Sequence, residues 1–433
     1  MIEIINSKEQ VDKLLDVLKE RGNMDTGENA LIAKEIVARV RDEKDTALFE
    51  YTNKFDCPSL TAENVKVSQE EMKEAFDSLP EDLKAAMTLS ADRIRAFHEK
   101  QKQNTWIDVK ENGEILGQRV MPIEKVGVYV PGGKAAYPSS VLMNVIPAKV
   151  AGVSKIVMVT PAGKDGSLRQ EVLAAAYIAG VTDVYKVGGA QAIAALAFGT
   201  ESIPKVDKIV GPGNIFVALA KREVFGYVNI DSIAGPSEIL IVADKSANPK
   251  FLAADLFSQA EHDQLASAIM ITDDAQLAEK VKEECEILLP KMPRKDILEC
   301  SLTNYSKIIV TDDITSAYEL ANTIAPEHLE LSVANPFEAL TKIKNAGAIF
   351  LGHYTPEPVG DYMAGPNHVL PTNGTARFFS PLGVDDFVKK SSILSFSKEA
   401  LLEVGEKVVK FAKSENLYAH AESVQVRLNE EGK

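Results

Sequence analysis

The sequence predicts an α/β protein with two successive sheet domains and helical segments at both ends. From about Val126 onward, short apolar runs alternate with segments of helical periodicity, which is typical of a parallel sheet built from β-α-β units. A second series of similar size follows the first. Residues 353–383 are then rich in proline and glycine and too long for an ordinary connection. We therefore predict two related, doubly wound sheets and a long loop with a functional role.

The N-terminal hundred residues are predicted to be helical. Ser7 and Gln10 form a capping box, and apolar residues then recur on one helix face. Charged helical patterns follow over residues 30–55 and 72–102. None of these segments carries a catalytic grouping of its own.

Four predicted strands and four predicted helices make up the first alternating series. The strands are expected at residues 126–130, 155–160, 183–187 and 207–210. The helices are expected at residues 139–151, 168–179, 190–197 and 214–225. This alternation indicates parallel strands joined by crossover helices.

The second series repeats the arrangement and leads into the loop and a helical tail. Its strands are expected at residues 239–243, 268–272, 307–311 and 348–351. Its helices are expected at residues 249–261, 275–286, 314–323 and 336–345. After the loop, residues 398–428 have a helical pattern.

The composition is that of a globular protein with an acidic balance. The 433 residues include 48 Lys and Arg against 63 Asp and Glu, a formal net charge of −15, which argues against a general nucleic-acid-binding surface. The 3 cysteines form no CxxC pair, so a thiolate zinc ribbon is excluded and a reducing compartment is favoured. Neither a membrane-spanning apolar run nor a signal-peptide pattern is found. We therefore expect a cytoplasmic protein that binds neither nucleic acid nor membrane.

Three glycine-bearing turns, at residues 129–133, 188–191 and 211–214, follow predicted strands of the first series. No GxGxxG motif is present, and the segment Gly132-Gly133-Lys134 lacks the Ser/Thr of a phosphate-binding P-loop. Turns at the carboxyl ends of strands are where ligands bind in doubly wound sheets. The spacing alone leaves two interpretations open: a ligand site, or left-handed turns without a ligand.

Gln259 and His262 are three residues apart, so they share one face at the end of a predicted helix. Imidazole, amide and carboxylate groups can bind zinc without thiolates, although glutamine is an uncommon ligand. The alternative, which the spacing alone favours, is a polar helix end at which the histidine interacts with the helix dipole.

Glu327 and His328 adjoin each other after Pro326, which fits the first turn of a helix. A carboxylate beside an imidazole can share acid and base catalysis near neutral pH. An acidic residue at a helix start is equally common as a simple partner of the helix dipole.

The remaining polar candidates lie in the long loop and the tail. Asp361 in the loop can bind a metal or cap a turn, and His368 lies in the same loop. Glu415 and His420 lie on the predicted tail helix, where the simplest interpretation is solvated surface. His98, in a charged helix, is expected at the surface.

Eight ordered segments together are more specific than any one motif. They are VGVYVPGGKAAYPSSVLMNVIPAKVAGV (126–153), VGGAQAIAALAFGT (187–200), KIVGPGNIFVALAK (208–221), IDSIAGPSEILIVAD (230–244), DLFSQAEHD (255–263), IAPEHLEL (324–331), VGDYMAGPNHVLPTNGTARF (359–378) and ENLYAHAES (415–423). With these segments the chain resembles the L-histidinol dehydrogenase family over essentially its whole length. The first 120 residues and the extreme tail match only loosely.

The resemblance implies an enzyme that requires zinc and NAD. Such an enzyme oxidises L-histidinol through L-histidinal to L-histidine with two NAD, the last two steps of histidine biosynthesis. One alternative is a dehydrogenase on the same scaffold that oxidises another amino alcohol or polar alcohol. A second is a two-lobed binding protein without catalytic activity, which the paired α/β series alone would allow.

The resemblance also assigns roles to residues of this sequence. One zinc per subunit would be held by Gln259, His262, Asp361 and His420. Glu327 and His328 would form the acid/base pair. Substrate would contact the four zinc ligands and His328 together with Ser237, His368 and Glu415. NAD would contact Tyr129, Gln191 and Asn214, at a site that lacks the GxGxxG motif.

A homodimer is implied as well, in which the C-terminal segment reaches the partner's site and Glu415 and His420 act across the interface. The predicted division of the chain has four parts. These are an N-terminal helical segment (1–25), a first Rossmann-like α/β domain with the zinc and acid/base residues (26–125 with 236–381), a second on the NAD side (126–235), and a dimer-crossing helical tail (382–433).

Overall fold

The computed structural model describes residues 2–21, 27–132, 137–233 and 235–429. The chain divides into two units, residues 1–101 with 123–387 and residues 102–122 with 388–433. The first unit holds two six-stranded sheets, and the second holds a three-stranded sheet. None of the helices in the described ranges combines the length and apolar character needed to cross a membrane.

Strands and helices are numbered here in chain order. The strands are β1 (Glu3–Ile5), β2 (Lys66–Val67), β3 (Trp106–Val109), β4 (Ile115–Pro122), β5 (Lys125–Tyr129), β6 (Lys155–Val159), β7 (Asp183–Tyr185), β8 (Lys208–Val210), β9 (Asn229–Ile230), β10 (Glu238–Ala243), β11 (Ser267–Thr272), β12 (Lys307–Val310), β13 (His328–Ser332), β14 (Ala348–Leu351) and β15 (Val388–Ser395). The helices are α1 (Lys8–Arg21), α2 (Gly27–Glu43), α3 (Asp45–Phe55), α4 (Gln69–Ser78), α5 (Glu81–Glu99), α6 (Pro138–Ala151), α7 (Gln170–Ala179), α8 (Gly189–Phe198), α9 (Ile215–Val224), α10 (Pro249–Ala260), α11 (Ala275–Leu288), α12 (Lys295–Asn304), α13 (Ile314–Ile324), α14 (Pro336–Leu340), α15 (Glu357–Val359), α16 (Lys398–Ser414) and α17 (Tyr418–Asn429).

The two large sheets have the same strand order, which confirms the prediction of two related doubly wound sheets. The first has the order β2-β7-β6-β5-β8-β9, and the second has the order β1-β12-β11-β10-β13-β14. In each sheet, the first strand of its alternating series (β5 or β10) lies between the second strand (β6 or β11) and the fourth strand (β8 or β13). All neighbouring strands are parallel except β2 and β7. The strands β6 and β10 are apolar and almost wholly buried, because helices cover both faces of such sheets.

Helices α2 to α5 pack on the first of these sheets. Val40 and Leu48 share an apolar cluster with Val159 of β6, and Met72 and Ile94 share another with helix α6. The predicted grouping of this segment with residues 236–381 differs from that packing. Helical periodicity shows that one helix face is buried, but not against which sheet.

The N-terminal strand and helix pack on the second sheet instead. Strand β1 pairs with β12, and Leu14 of α1 lies in a cluster with Leu240 and Leu329. The predicted capping box is confirmed, since the backbone N–H of Gln10 donates to the Ser7 hydroxyl at 3.3 Å.

The tail differs from the predicted helical segment in two respects. Strand β15 pairs antiparallel with β4, which also pairs with β3. Residues 382–387 belong to the first unit, where Leu382, Val384 and Phe387 are buried in its core. Helices α16 and α17 cover most of residues 398–429, as predicted.

Candidate active site

The central catalytic candidates lie where two neighbouring strands of the second sheet begin. Strand β13 starts at His328, which stands beside Ile239 of β10 in the strand register. The predicted helical first turn after Pro326 is therefore wrong, because the segment HLELS is a fully buried inner strand. Helix α10 runs back from β10 and carries Gln259 to the same end of the sheet.

Glu327 and Glu238, which directly precedes Ile239, hold each other through reciprocal hydrogen bonds. The backbone N–H of Glu238 donates to Glu327 Oε2 at 2.8 Å, and the backbone N–H of Glu327 donates to Glu238 Oε2 at 3.4 Å. Both residues are buried. Burial and then repulsion by Glu238 raise the pKa of Glu327 well above its usual range. A carboxylate of this kind is a stronger base than a solvated one.

His328 has a free, buried nitrogen. Its Nδ1 lies 2.9 Å from the Glu238 carbonyl oxygen, which can only accept, and 2.9 Å from the Gln259 amide nitrogen, which can only donate. The ring nitrogen Nε2 is buried without a hydrogen-bond partner. Burial lowers the pKa of His328 to about 4, so the ring is neutral at pH 7. Nε2 is therefore free to exchange a proton or to bind a metal.

Gln259 connects this histidine to His262. The Gln259 amide nitrogen lies 2.9 Å from His328 Nδ1 and donates to the Glu238 carbonyl at 3.4 Å. Its Oε1 lies 2.8 Å from His262 Nδ1, which donates to it. The shared helix face predicted for Gln259 and His262 is thus observed as a direct contact.

The long loop brings further acidic groups to the same place. Asp361 Oδ1 lies 3.6 Å from His368 Nδ1, and Glu357 Oε1 lies 3.9 Å from His328 Nε2. Burial raises the pKa of Glu357. Burial alone would also raise the pKa of Asp361, but the interaction with His368 and its charge lower it overall. An ionised Asp361 beside a protonated Glu357 is the resulting state.

These groups form a donor set that suits a cation. Ligating atoms of His328, Glu357 and Asp361 lie within 4.8 Å of one another, and both His328 Nε2 and Glu357 Oε1 are buried without partners. Imidazole nitrogen with carboxylate oxygen is compatible with zinc. Asp361 is the one member of this group that is also a predicted zinc ligand. A cavity of about 850 Å³ opens onto His328, Asp361 and His368.

A second cavity, of about 1060 Å³, lies at the carboxyl ends of strands in the first sheet. Tyr129, Gln191 and Asn214 all line it. The Tyr129 hydroxyl accepts from the backbone N–H of Gly189 at 3.2 Å. Asn214 caps helix α9 through its Oδ1, which leaves its amide nitrogen available to a ligand. All three glycine-bearing turns thus contribute residues to one large cavity.

The turn before Asn214 is held by a buried ion pair. Lys221 forms an ion pair with Asp231 and donates to the carbonyl of Gly211 at 3.0 Å. Asp231 in turn accepts a hydrogen bond from the backbone N–H of Gly211 at 2.8 Å. Gly211 has φ +111°, and a Cβ there would lie 2.1 Å from the Tyr129 carbonyl oxygen. Of the P-loop-like segment only Gly132 is described; Gly133 and Lys134 lie outside the described residues.

The remaining predicted site residues are Ser237, Glu415 and His420. Ser237 precedes β10, and its carbonyl accepts from the N–H of Ser267. Glu415 and His420 are exposed in the second unit. His98 contradicts the expectation of a surface position: it is fully buried, with Nδ1 2.7 Å from the Ile94 carbonyl. Charged neighbours on a helix do not show which face the histidine occupies.

Several polar groups at the two candidate sites carry no sequence signal. Glu357 and Glu238 approach His328 only through folding, and Asp56 enters the larger cavity from the end of helix α3. Burial raises the pKa of Asp56 to about 6. Only the placement of these groups beside other polar side chains reveals them.

Comparison with known proteins identifies the family to which the chain belongs. The histidinol dehydrogenase family model matches residues 19–428. Histidinol dehydrogenases of Clostridium acetobutylicum (56% identity, 96% of each chain) and Caldanaerobacter subterraneus subsp. tengcongensis (57%, 99% of each chain) are similar over nearly the whole length. The crystal structure of the histidinol dehydrogenase of Elizabethkingia anophelis superposes with a TM-score of 0.93 at 38% identity, covering 100% of this chain and 99% of the other. The chain therefore belongs to the histidinol dehydrogenase family.

Proposed function

We propose that the protein oxidises L-histidinol through L-histidinal to L-histidine, using two NAD and one zinc per subunit, in the last two steps of histidine biosynthesis. The observation that carries this proposal is the buried Glu327–His328 pair, with a free ring nitrogen beside Asp361 and His368. Family membership supplies the substrate class.

Gln259, His262 and Asp361 would hold the zinc, with His420 as a fourth ligand. When bound, zinc would orient the amine and imidazole nitrogens of the substrate, and NAD would accept hydride. Tyr129, Gln191 and Asn214 would contact NAD in the larger cavity. His368, Ser237 and Glu415 would contact the substrate.

Proton transfers fall to His328 and Glu327. In the first oxidation, His328 Nε2 takes the hydroxyl proton as the carbinol carbon loses hydride and becomes an aldehyde. Glu327 then takes a proton from the water that adds to this carbon, while the protonated His328 returns its proton to the carbonyl oxygen, which becomes the second hydroxyl of a hydrate. His328 accepts a further proton as the hydrate loses hydride and becomes the carboxylic acid. Because both groups are buried, bulk water has little access to the aldehyde.

We infer a homodimer in which residues 382–433 complete the partner's site. The second unit exposes an unusual number of large apolar side chains, which supports a subunit interface there. These include Ile107 (56% exposed), Val109 (65%), Leu394 (68%) and Phe411 (69%). Glu415 and His420 belong to the same unit. A cytoplasmic location fits the cofactor and the reaction.

Substrate preference tests the proposal. With zinc and NAD present, we expect kcat/KM for L-histidinol to exceed that for other amino alcohols by at least about 100-fold, because a site that binds the imidazole leaves polar groups unpaired with other substrates. NADH formation measured across a panel of amino alcohols gives these ratios. An equal or higher kcat/KM for another alcohol would instead identify a different dehydrogenase on the same scaffold.

A further inference from the structure

Arg21, the last residue of helix α1, lies beside the candidate active site although its helix carries no catalytic group. Its side chain has 0% exposure, and its Nε is buried without a partner. A buried guanidinium is costly unless its charge is paired and its N–H groups are hydrogen-bonded. The partners it has therefore indicate why the arginine is there.

The guanidinium binds the chain at the start of strand β10 and just before strand β11. Its Nη2 forms an ion pair with the Glu238 carboxylate. Its Nη1 donates to the Leu265 carbonyl at 2.8 Å and to the Ser237 carbonyl at 3.4 Å. Arg21 thus fixes both the residue proposed to contact substrate and the carboxylate that follows it.

Glu238 in turn holds Glu327 in place. The two glutamates exchange backbone-to-carboxylate hydrogen bonds in both directions, at 2.8 and 3.4 Å. Glu238 also accepts from the N–H of Asn373 at 3.2 Å. Without the guanidinium, two buried carboxyl groups would face each other after losing the cation that pairs with Glu238, and the reciprocal pair would no longer be stable.

We propose that Arg21 is a positioning residue for the second oxidation: it anchors Glu238, which holds the Glu327 carboxyl group in place beside His328. This inference rests on the proposed function, in which Glu327 acts on the water that attacks the aldehyde. Arg21 touches neither substrate nor cofactor, so its effect is transmitted through Glu238.

Separate measurement of the two oxidations tests this role. For Arg21→Met we expect kcat for histidinal oxidation to fall about 100-fold, the loss typical of a misplaced catalytic group, while kcat for histidinol oxidation to the aldehyde changes less than about threefold. In a Glu327→Gln background, Arg21→Met should lower histidinal oxidation by less than about twofold, because the group it positions is already absent.

Lys44→Met is the matched control, since Lys44 is a cation that donates to two backbone carbonyls, of Phe198 and Gly199, beside the other sheet. It should leave the ratio of the two rates unchanged. If Arg21→Met folds poorly, Arg21→Met/Glu238→Gln removes the unpaired charge and should still show the selective loss.

Two results would overturn the role of Arg21: equal slowing of both oxidations, or full additivity with Glu327→Gln. With a wild-type enzyme that forms two NADH per histidinol, either result overturns this inference alone. A wild type that forms no NADH would overturn the proposed function with it.

Discussion

At the scale of single residues, burial gives His328 and Glu327 their chemical character. The same low-polarity surroundings keep the imidazole neutral and make the carboxylate a stronger base, because burial disfavours the charged form of each. The Glu238 carbonyl and the Gln259 amide both contact Nδ1, so that the free nitrogen is Nε2. Two adjacent residues thus obtain different proton-transfer roles from one environment.

His262 and Asp361 should each be required for zinc. Replacing either by alanine removes a proposed ligand and leaves an open coordination position, so we expect zinc content and activity to be lost together. Metal analysis of the purified variants by mass spectrometry measures the first, and NADH formation the second. His353→Ala is the control, since His353 binds Ser332 and Ser246 instead. Full zinc occupancy in both site variants would refute the ligand assignment.

Asp56 should make the folded state less stable as the pH rises. Burial raises its folded pKa to about 6 from an ordinary 3.8, so between these values the folded chain binds more protons than the unfolded chain. Stability from this group is therefore lost as the pH increases through that window. Asp56→Asn should have a higher Tm than wild type at pH 7, with the difference shrinking towards pH 4. Calorimetry at several pH values measures this, and a pH-independent difference would contradict it.

The sequence could identify residue types and motifs, but not partners brought together by folding. Gln259 and His262 are close in sequence, so helical spacing was enough to predict their contact. Arg21 and Glu238 are more than 200 residues apart in the chain, and no local pattern indicates that they meet. The buried position of His98 was missed for the same reason, since it depends on packing against a distant segment.

At the scale of elements, the turn at Gly211 helps to shape the proposed cofactor cavity, and its backbone conformation requires glycine. Gly211→Ala would place a Cβ 2.1 Å from the Tyr129 carbonyl oxygen at φ +111°. We expect a loss of stability of more than about 2 kcal/mol and weaker NAD binding, because the shifted turn carries Asn214. Denaturant titration and NAD binding by calorimetry measure the two effects. Gly226→Ala is the control, since its φ of +99° is similar but a Cβ there meets nothing within 4 Å. Equal effects of both substitutions would show that backbone conformation, and not the contact with Tyr129, is responsible.

Most strands were predictable because buried parallel strands are short apolar runs. Strand β13 was missed because Pro326 and two glutamates interrupt its apolar pattern. Glu327, one of these interruptions, belongs with His328 to the proposed acid/base pair, so the pattern fails where polar groups replace apolar packing. Strand β15 was missed because its partner β4 is distant in the chain, and its exposed faces are largely polar.

At the scale of the whole molecule, the two related sheets carry their candidate sites at opposite ends of their strands. The first sheet presents its candidate cofactor residues at the carboxyl ends of strands, where doubly wound sheets usually bind ligands. The second presents Glu327 and His328 at the amino ends of β10 and β13. The two sheets therefore share a strand order but differ in the kind of site proposed for each.

Mixed dimers should show whether the tail acts across subunits. His420→Ala and Glu327→Gln enzymes should each fail to form histidine. Co-expressed, they should recover about a quarter of wild-type activity, because half of randomly formed dimers are mixed and each mixed dimer has one intact site. Histidine formation by the mixture measures this. No recovery, with mixed dimers demonstrated by affinity tags, would place His420 and Glu327 in the same subunit's site.

The most direct test of the central claim is the product balance of the wild-type enzyme with limiting histidinol. If one site performs both oxidations, zinc-loaded enzyme with excess NAD should form two NADH and one histidine per histidinol, and an aldehyde-trapping reagent should capture almost no histidinal. One NADH per histidinol with accumulation of the aldehyde, or no NADH at all, would contradict the account.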